Sequence, residues 1–444
     1  METESPWVSR FPSSWSDDHL NGVIATPAGA LPNLDVLPLN TARTELIRSY
    51  SSLTVPTRQM REAVRRMLER AAAAARELFP DQGAFLRRIY SNNPDPCSQP
   101  MMCITSLAGC GKSKLAEAFV RALPQIGQID IAGHSRFRMV SGYRLTARAG
   151  IGLRQILEPI FPDPDHAGRS VFTAAQIQLA KDAVTMLVPD ELQFVTQSAS
   201  AVQLANLLLK LAGLGPPVAF ITNYSLIHRL IRRPQELRDR LFSEMLVLSP
   251  DEADSVDWVA HLLGHFEVHD AFQEIAARAD TAVDIHRRTF GIKRNVPNLL
   301  SLAYCASRED DSEFVRPRHI ERAYLHRSYA SARSDVELLL RSHITGLEKR
   351  EDLWCPLKGL DLFAPSTRAP AVTLDLDSER LAQAALLSSM NAEDSSKVKS
   401  ITRTLAGPTS PGRRAGQKIT ATSLAAGARA LENKFKQGSG GSAV

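Results

Sequence analysis

Three short apolar runs, residues 101–104, 183–188 and 217–222, each break off at a polar cluster, and none alternates like a strand with one wet face. They read as strands of a buried parallel sheet. After the first, Leu115, Phe119, Val120 and Leu123 recur at helical spacing and predict a helix packed on that sheet. Upstream, residues 57–78 place Met60, Val64, Met67 and Leu68 on one helical face and Arg58, Arg61, Arg65, Arg66 and Arg70 largely on others. Residues 136–140 and 143–148 alternate arginine with apolar or aromatic residues, which predicts strands carrying Arg136, Arg138, Arg144 and Arg148 along one face. Further on, Leu299, Leu300, Leu302, Ala303 and Ala306 predict another helix, and residues 331–353 one more. Strands alternating with helices in this way predict an α/β chain.

What the strands end in carries the chemistry. The first runs into Ser106-Leu107-Ala108-Gly109-Cys110-Gly111-Lys112-Ser113-Lys114. Gly109 and Gly111 let the backbone curl its N–H groups around phosphate oxygens, and the next helix presents its positive end to them. Lys112 is placed to reach the β- and γ-phosphates, and Ser113 offers a hydroxyl for Mg²⁺. Ser106 stands where the pattern G-x-x-x-x-G-K-[ST] has its first glycine. The second strand ends in Pro189-Asp190-Glu191-Leu192-Gln193. Asp190 is expected to hold Mg²⁺ through its water shell, and Glu191 to orient or deprotonate the attacking water. Pro189 removes an N–H at the strand end, which bears on where the carboxylates sit. The third strand ends at Asn223, which, lying between the other two in the sheet, would hydrogen-bond the γ-phosphate or the lytic water. Singly, these motifs have bland alternatives: a plain strand-turn-helix, an acidic turn, a turn asparagine. In sequence they predict an ATPase with Mg²⁺.

The 444 residues, 44% of them hydrophobic, supply a core of about 250 residues with appended segments. Cys97, Cys103, Cys110, Cys305 and Cys355 show neither paired spacing nor a C-x-x-C, and no apolar stretch reaches the length of a membrane span. The opening Met1-Glu2-Thr3-Glu4 lacks the basic-then-apolar character of a secretion signal, so a cytoplasmic protein with reduced thiols and no membrane partner is expected. The net charge of +5 is uneven, because residues 395–444 hold nine Lys/Arg against one acid on a stretch poor in large apolar residues. That tail is expected to be disordered, either an arm for a partner or DNA or a solvated linker. Residues 1–45, rich in Pro, Ser and Asn around Trp7, Phe11, Trp15 and Leu20, read as a flexible segment that docks on a partner. The expected organisation is thus a docking segment 1–45, a nucleotide-binding core with a helical lead-in 46–250, a helical lid with further helices 251–360, and a flexible basic tail 361–444.

Cationic positions suggest partners. The row Arg136, Arg138, Arg144 and Arg148 is an array that could track a DNA backbone, since phosphate neutralisation is largely sequence-blind; an exposed, salt-bridged strand is the alternative. The basic face of residues 57–78 has the same two readings. Arg238 and Arg240, within the cluster 232–240, are candidates for a cation supplied to a neighbouring subunit's site. Phe290-Gly291-Ile292-Lys293-Arg294 opens a lid helix and brings Arg294 in as a nucleotide-binding candidate.

On these residues the chain resembles the TnsC/TniB group of AAA+ transposition regulators, relatives of MuB, over roughly residues 45–360. The likeness rests on the loop 106–113, on Leu187-Val188-Pro189-Asp190-Glu191-Leu192-Gln193 where that group favours Asp-Glu-x-Gln, and on Val218-Ala219-Phe220-Ile221-Thr222-Asn223. The lid turn and Arg318-His319-Ile320-Glu321-Arg322-Ala323-Tyr324 complete the order. The resemblance implies a P-loop AAA+ three-layer sandwich with a small C-terminal helical lid and disordered tails. It implies a bacterial, nucleoid-associated ATPase that assembles with ATP as a ring or helical filament on double-stranded DNA. There it would stand between a target-selector protein and transposase subunits, and hydrolysis would drive disassembly. The alternatives are another AAA+ DNA-remodelling or initiator-type ATPase, and a scaffold that binds ATP without turning it over. The remaining folded length argues against a helicase's second lobe.

Overall fold

The computed structural model describes residues 5–91, 94–125, 127–131, 134–148, 152–161, 170–192, 201–348 and 350–357, with the side chains of 134–136 outside that set. The strands are β1 Met102–Ser106, β2 Gln128–Ile131, β3 His134–Arg138, β4 Tyr143–Thr146, β5 Leu187–Asp190, β6 Ala219–Asn223 and β7 Glu244–Leu248. The helices before the first strand are α1 Pro6–Ser9, α2 Asp17–Ile24, α3 Leu39–Ser52, α4 Arg58–Leu78 and α5 Gln82–Tyr90. Those of the sheet region are α6 Lys112–Ala122, α7 Leu153–Leu157, α8 Val171–Lys181, α9 Ala201–Ala212, α10 Tyr224–Leu230 and α11 Gln235–Leu241. Beyond β7 follow α12 Val256–Phe266, α13 Gln273–Ala276, α14 Thr281–Thr289, α15 Asn295–Glu309, α16 Pro317–Leu325 and α17 Ala330–Thr345. No described helix is long and apolar enough to cross a membrane.

β1 pairs in parallel with β6 on one side and β7 on the other, β4 pairs in parallel with β5, and a single bridge from Leu187 to Val218 joins β5 to β6. The order across the sheet is therefore β4-β5-β6-β1-β7. Because successive side chains of a strand face opposite ways, Met102, Ile104, Val188, Ile221 and Leu246 pack against α2, α4 and α6. Their neighbours Cys103, Leu187, Phe220 and Met245 pack against α8, α9 and α10. Both faces are covered, which makes a three-layer sandwich.

Pro189 explains why only one bridge joins the two halves. Leu187 donates its N–H to Pro217 and so faces β6, whereas Met186 and Asp190 accept from Tyr143 and Ala147 and so face β4. The next residue turned towards β6 is Pro189, which has no N–H to donate, so the ladder stops. The apolar run 183–188 is also spent differently from its strand reading. Ala183, in the left-handed region at φ 50, closes α8, with Val184 N bonding Leu179 O, and the strand begins at Leu187.

The segment 1–45 departs from its reading as a flexible docking arm. Trp7 is buried and stacked on Phe85 with ring centroids 4.5 Å apart, and Phe11, Trp15, Leu20 and Ile24 join the core against α4 and α6. Arg10 Nη2 donates to Ala183 O at 2.7 Å, and Arg61 and Arg65 of α4 pair with Asp17. The anchors do mark a docking peptide, but its acceptor is the chain's own core. Those ion pairs, with Arg70 on Glu244, also make the basic face of α4 a structural surface.

The same strap continues into the lid. Leu34, Ala42, Leu46 and Tyr50 share one core with Trp258, Phe272, Ile285, Leu299 and Tyr304 of the C-terminal helices. Arg43 Nη2 donates to Asn298 Oδ1 at 3.0 Å and Tyr304 donates to Asp35 Oδ1 at 2.8 Å. The tail 361–444 lies outside the described residues.

Candidate nucleotide site

Lys112 is the first residue of α6, behind Gly111 at φ 96 and Gly109 at φ 92, conformations that cost a side-chain-bearing residue strain. Its Nζ donates to Ser106 O at 3.0 Å, Ser106 Oγ at 2.9 Å and Leu107 O at 3.0 Å. Ser106, in place of a glycine, thus helps to aim the ammonium from the end of β1. Burial brings the Lys112 pKa down to about 8. Below that pH the ammonium is present before nucleotide arrives; above it, binding must first restore the proton. ATP affinity is therefore expected to be flat up to about pH 8 and then to fall by up to about tenfold per pH unit, readable by titrating a fluorescent ATP analogue at pH 7, 8 and 9. Affinity unchanged at pH 9 would contradict this.

Asp190 and Glu191 stand across from the loop at the tip of β5. Asp190 is 2% exposed, its Oδ1 accepting from Glu191 N at 2.8 Å and its Oδ2 from Arg144 Nη2 at 2.7 Å and Nε at 3.2 Å. Arg144 also reaches Glu117 of α6 at 3.3 Å. Glu191 sits in the left-handed region at φ 60, unusual for a residue with a side chain and a form of strain that concentrates at functional sites. Its Oε1 accepts from Ser113 Oγ at 3.0 Å. A hydroxyl and two carboxylates therefore converge, a hard-oxygen set that fits Mg²⁺. No cluster of three or more His, Cys, Asp or Glu able to hold a metal occurs among the described residues, and a nucleotide's Mg²⁺ needs only one or two protein oxygens beside phosphates and water.

Asn223 ends β6 in register with Ser106, so β6 lies between the strands that lead to the two acidic residues and to the loop. From the lid, Gly291 at φ 66 lets the chain turn so closely that a Cβ there would come within 2.3 Å of Asp251 O, and Lys293 pairs with Asp251 at 3.2 Å. This turn delivers Arg294, whose N–H donates to Gly109 O at 3.1 Å. A Cβ on Gly109 would meet Ile292 at 2.8 Å and Arg294 at 2.9 Å, so loop and lid touch only because that residue is glycine.

Gly109, Gly111, Lys112, Ser113, Lys114, Asp190, Glu191, Asn223 and Arg294 line one cavity of about 570 Å³, within the range of small-ligand sites. Ser106 and Cys110 do not: the first is fully buried behind Lys112, and the second packs its thiol with Leu107, Tyr224 and Ile292. Arg238, half-buried, and Arg240, exposed, lie on α11 and do not line it. The same cavity is also lined by residues the sequence reading passed over, among them Tyr50, Thr54, His261 and His265. No motif marks them; they meet only because the N-terminal strap crosses the lid.

The order β4-β5-β6-β1-β7, with the phosphate loop after β1, the carboxylates after β5, Asn223 between them and a helical lid behind, decides the architecture. The chain has an AAA+ fold. No family model matches it, and no curated protein matches it either. Solved structures similar to parts of it include the Aeropyrum pernix ORC2 protein in its ADP form (14% identity over 63% of this chain and 75% of that one, TM-score 0.38). The Aeropyrum pernix ORC1 protein in complex with DNA follows (17%, 74% and 72%, TM-score 0.35), as does the Thermotoga maritima RuvB Holliday junction branch migration motor (11%, 60% and 76%, TM-score 0.30).

Within this AAA+ core the arginine row does not lie on one strand face. β3 pairs with β2 in a separate ribbon, whereas β4 belongs to the main sheet. Arg138 is held by Asp182 at 3.2 Å and by Tyr143, and Arg144 by Asp190 and Glu117, because burying those aspartates requires a paired cation. Arg148 is exposed at the end of β4, and the Arg136 side chain lies outside the described residues, as does Gln193.

Proposed function

We propose that the chain is an ATP-hydrolysing AAA+ regulator of DNA transposition, assembling with ATP and Mg²⁺ on duplex DNA and linking a target selector to a transposase. The convergence of Lys112, Ser113, Asp190, Glu191, Asn223 and Arg294 on one cavity carries the ATPase part. The remainder rests on the resemblance to the TnsC/TniB group. Lys112 and Arg294 would bind the phosphates, Ser113 and Asp190 would hold the metal, and Asn223 and Glu191 would place and deprotonate water. Arg238 and Arg240, which do not line their own chain's cavity, would be the cations supplied to a neighbouring subunit's site.

Electron microscopy of the protein with duplex DNA and ATP, a non-hydrolysable analogue or ADP tests the proposal, with phosphate release measured alongside. Rings or filaments with ATP or the analogue that dissolve as phosphate appears are expected. Assembly without turnover would favour a passive scaffold, and assembly indifferent to nucleotide would defeat the proposal.

Arg144 and Arg148 separate two roles within it. Arg144→Ala strips a partner from a buried carboxylate and is expected to cost about 3 kcal/mol of stability and most of the turnover, without altering the salt dependence of DNA binding. Arg148→Ala is expected to leave stability alone and to flatten that salt dependence by about 0.9 in the log–log slope. Thermal melts and binding isotherms between low and moderate salt read both.

A further inference from the structure

After α17 the chain comes back onto the core as a C-terminal strap, residues 350–357, which forms neither helix nor strand, so no ladder of backbone hydrogen bonds holds it down. Side chains seat it. Leu353 and Cys355 pack with Leu107 and Cys110 of the phosphate loop and with Tyr224 and Ile292. The Trp354 ring stands edge-on to that of His228 on α10, centroids 4.3 Å apart, and His228 Nε2 donates to the Trp354 carbonyl at 3.2 Å. Glu351 pairs with Arg232, and Leu357 packs on the apolar layer that α9 and α10 share with the sheet. Every residue from Leu353 to Leu357 is only half-buried.

Each element the strap touches carries a residue of the cavity. Leu107 and Cys110 flank Gly109 and lead into Lys112, Tyr224 follows Asn223, and Ile292 stands two residues before Arg294. We infer that residues 350–357 are a regulatory brace whose seating is coupled to nucleotide binding, each strengthening the other. The inference rests on the nucleotide reading of the cavity and names a regulation of that site. The phosphate loop, the tip of β6 and the lid turn are far apart in sequence, and a nucleotide needs all three in one arrangement. A strap that grips all three holds them there beforehand and lowers the ordering cost of binding. By reciprocity, a bound nucleotide must hold the strap down by the same factor. Shallow burial and the lack of a ladder make release of the strap cheap compared with opening of the core, which is what a switchable element requires. The chain runs on from the strap into residues 358–444, so a partner drawing on those residues would lower nucleotide affinity through it.

Cys355 reports the strap directly. In the full-length wild type, alkylation of Cys355 by a maleimide, followed by peptide mass spectrometry, is expected to slow about fivefold or more when ATP and Mg²⁺ are added. Alkylation of Cys97, which precedes β1 and bonds Glu77, and of Cys305 on α15 should not change. Trp354→Ala removes the ring on His228, and is expected to speed Cys355 labelling and to lower ATP affinity by about five- to tenfold. Its ligand-free melting temperature should stay within about 3 °C of the wild type, because a shallow strap contributes little to the core. Cys355 labelling indifferent to bound ATP would overturn the coupling, as would unchanged ATP affinity or unchanged Cys355 labelling in Trp354→Ala. Faster labelling of Cys97, Cys305 and Cys355 together in that variant would show general loosening and also overturn it. Failure of ATP to bind the wild type at all is a separate result and would overturn the nucleotide reading beneath.

Discussion

Lys112→Ala is expected to lower ATP affinity by about 10²-fold or more and, with it, to abolish any ATP-dependent assembly of the chain. Two charge-assisted hydrogen bonds to phosphates, at about 1.5–3 kcal/mol each, set that scale. The ammonium is already aimed, held by Ser106 and Leu107 oxygens at 2.9–3.0 Å, so little ordering accompanies binding. A second sign distinguishes lost chemistry from lost fold. The site holds a cation against the pull of burial, which brings its pKa to about 8, so the alanine variant should melt no lower than the wild type without nucleotide. Calorimetric titration and a thermal melt read both; normal ATP affinity would remove the phosphate-loop assignment.

Glu191→Gln is expected to slow hydrolysis by about 10²-fold or more while nucleotide binding and assembly persist, because on the proposed mechanism the base is lost and the geometry is kept. A glutamine amide oxygen can still accept the Ser113 hydroxyl that Glu191 Oε1 accepts at 3.0 Å, and Glu191→Gln introduces no new backbone strain at φ 60. Assemblies on DNA should therefore outlive those of the wild type. Single-turnover phosphate release beside a binding isotherm separates the two effects. Turnover at the wild-type rate would place the base elsewhere.

The contiguous parts of the candidate site are those a sequence reading can propose. A phosphate loop, an acidic strand end and a polar strand tip are each a few adjacent residues, whose chemistry depends on local backbone shape and on the strand before them. The strand-tip reading of Asn223 went further, since it anticipated a strand between two others, and β6 does lie between β5 and β1. The run 183–188 misled because apolar residues closing a helix and apolar residues of a buried strand look alike, and Ala183 takes a left-handed turn where glycine would have marked it.

What the sequence by itself determined is the α/β P-loop core and the order of its motifs, because hydrophobic period and loop chemistry are local. Only the tertiary structure decided where the side chains of the surrounding segments go. Trp7 and Trp15 ask for burial but do not name a partner, and the core itself supplies the acceptor. Arg144 reads as a surface cation from its spacing, yet a buried Asp190 on the neighbouring strand claims it. Tyr50, Thr54 and His261 meet because a strap from the start of the chain crosses a lid formed near residue 260, a contact between distant segments that no local period or motif encodes.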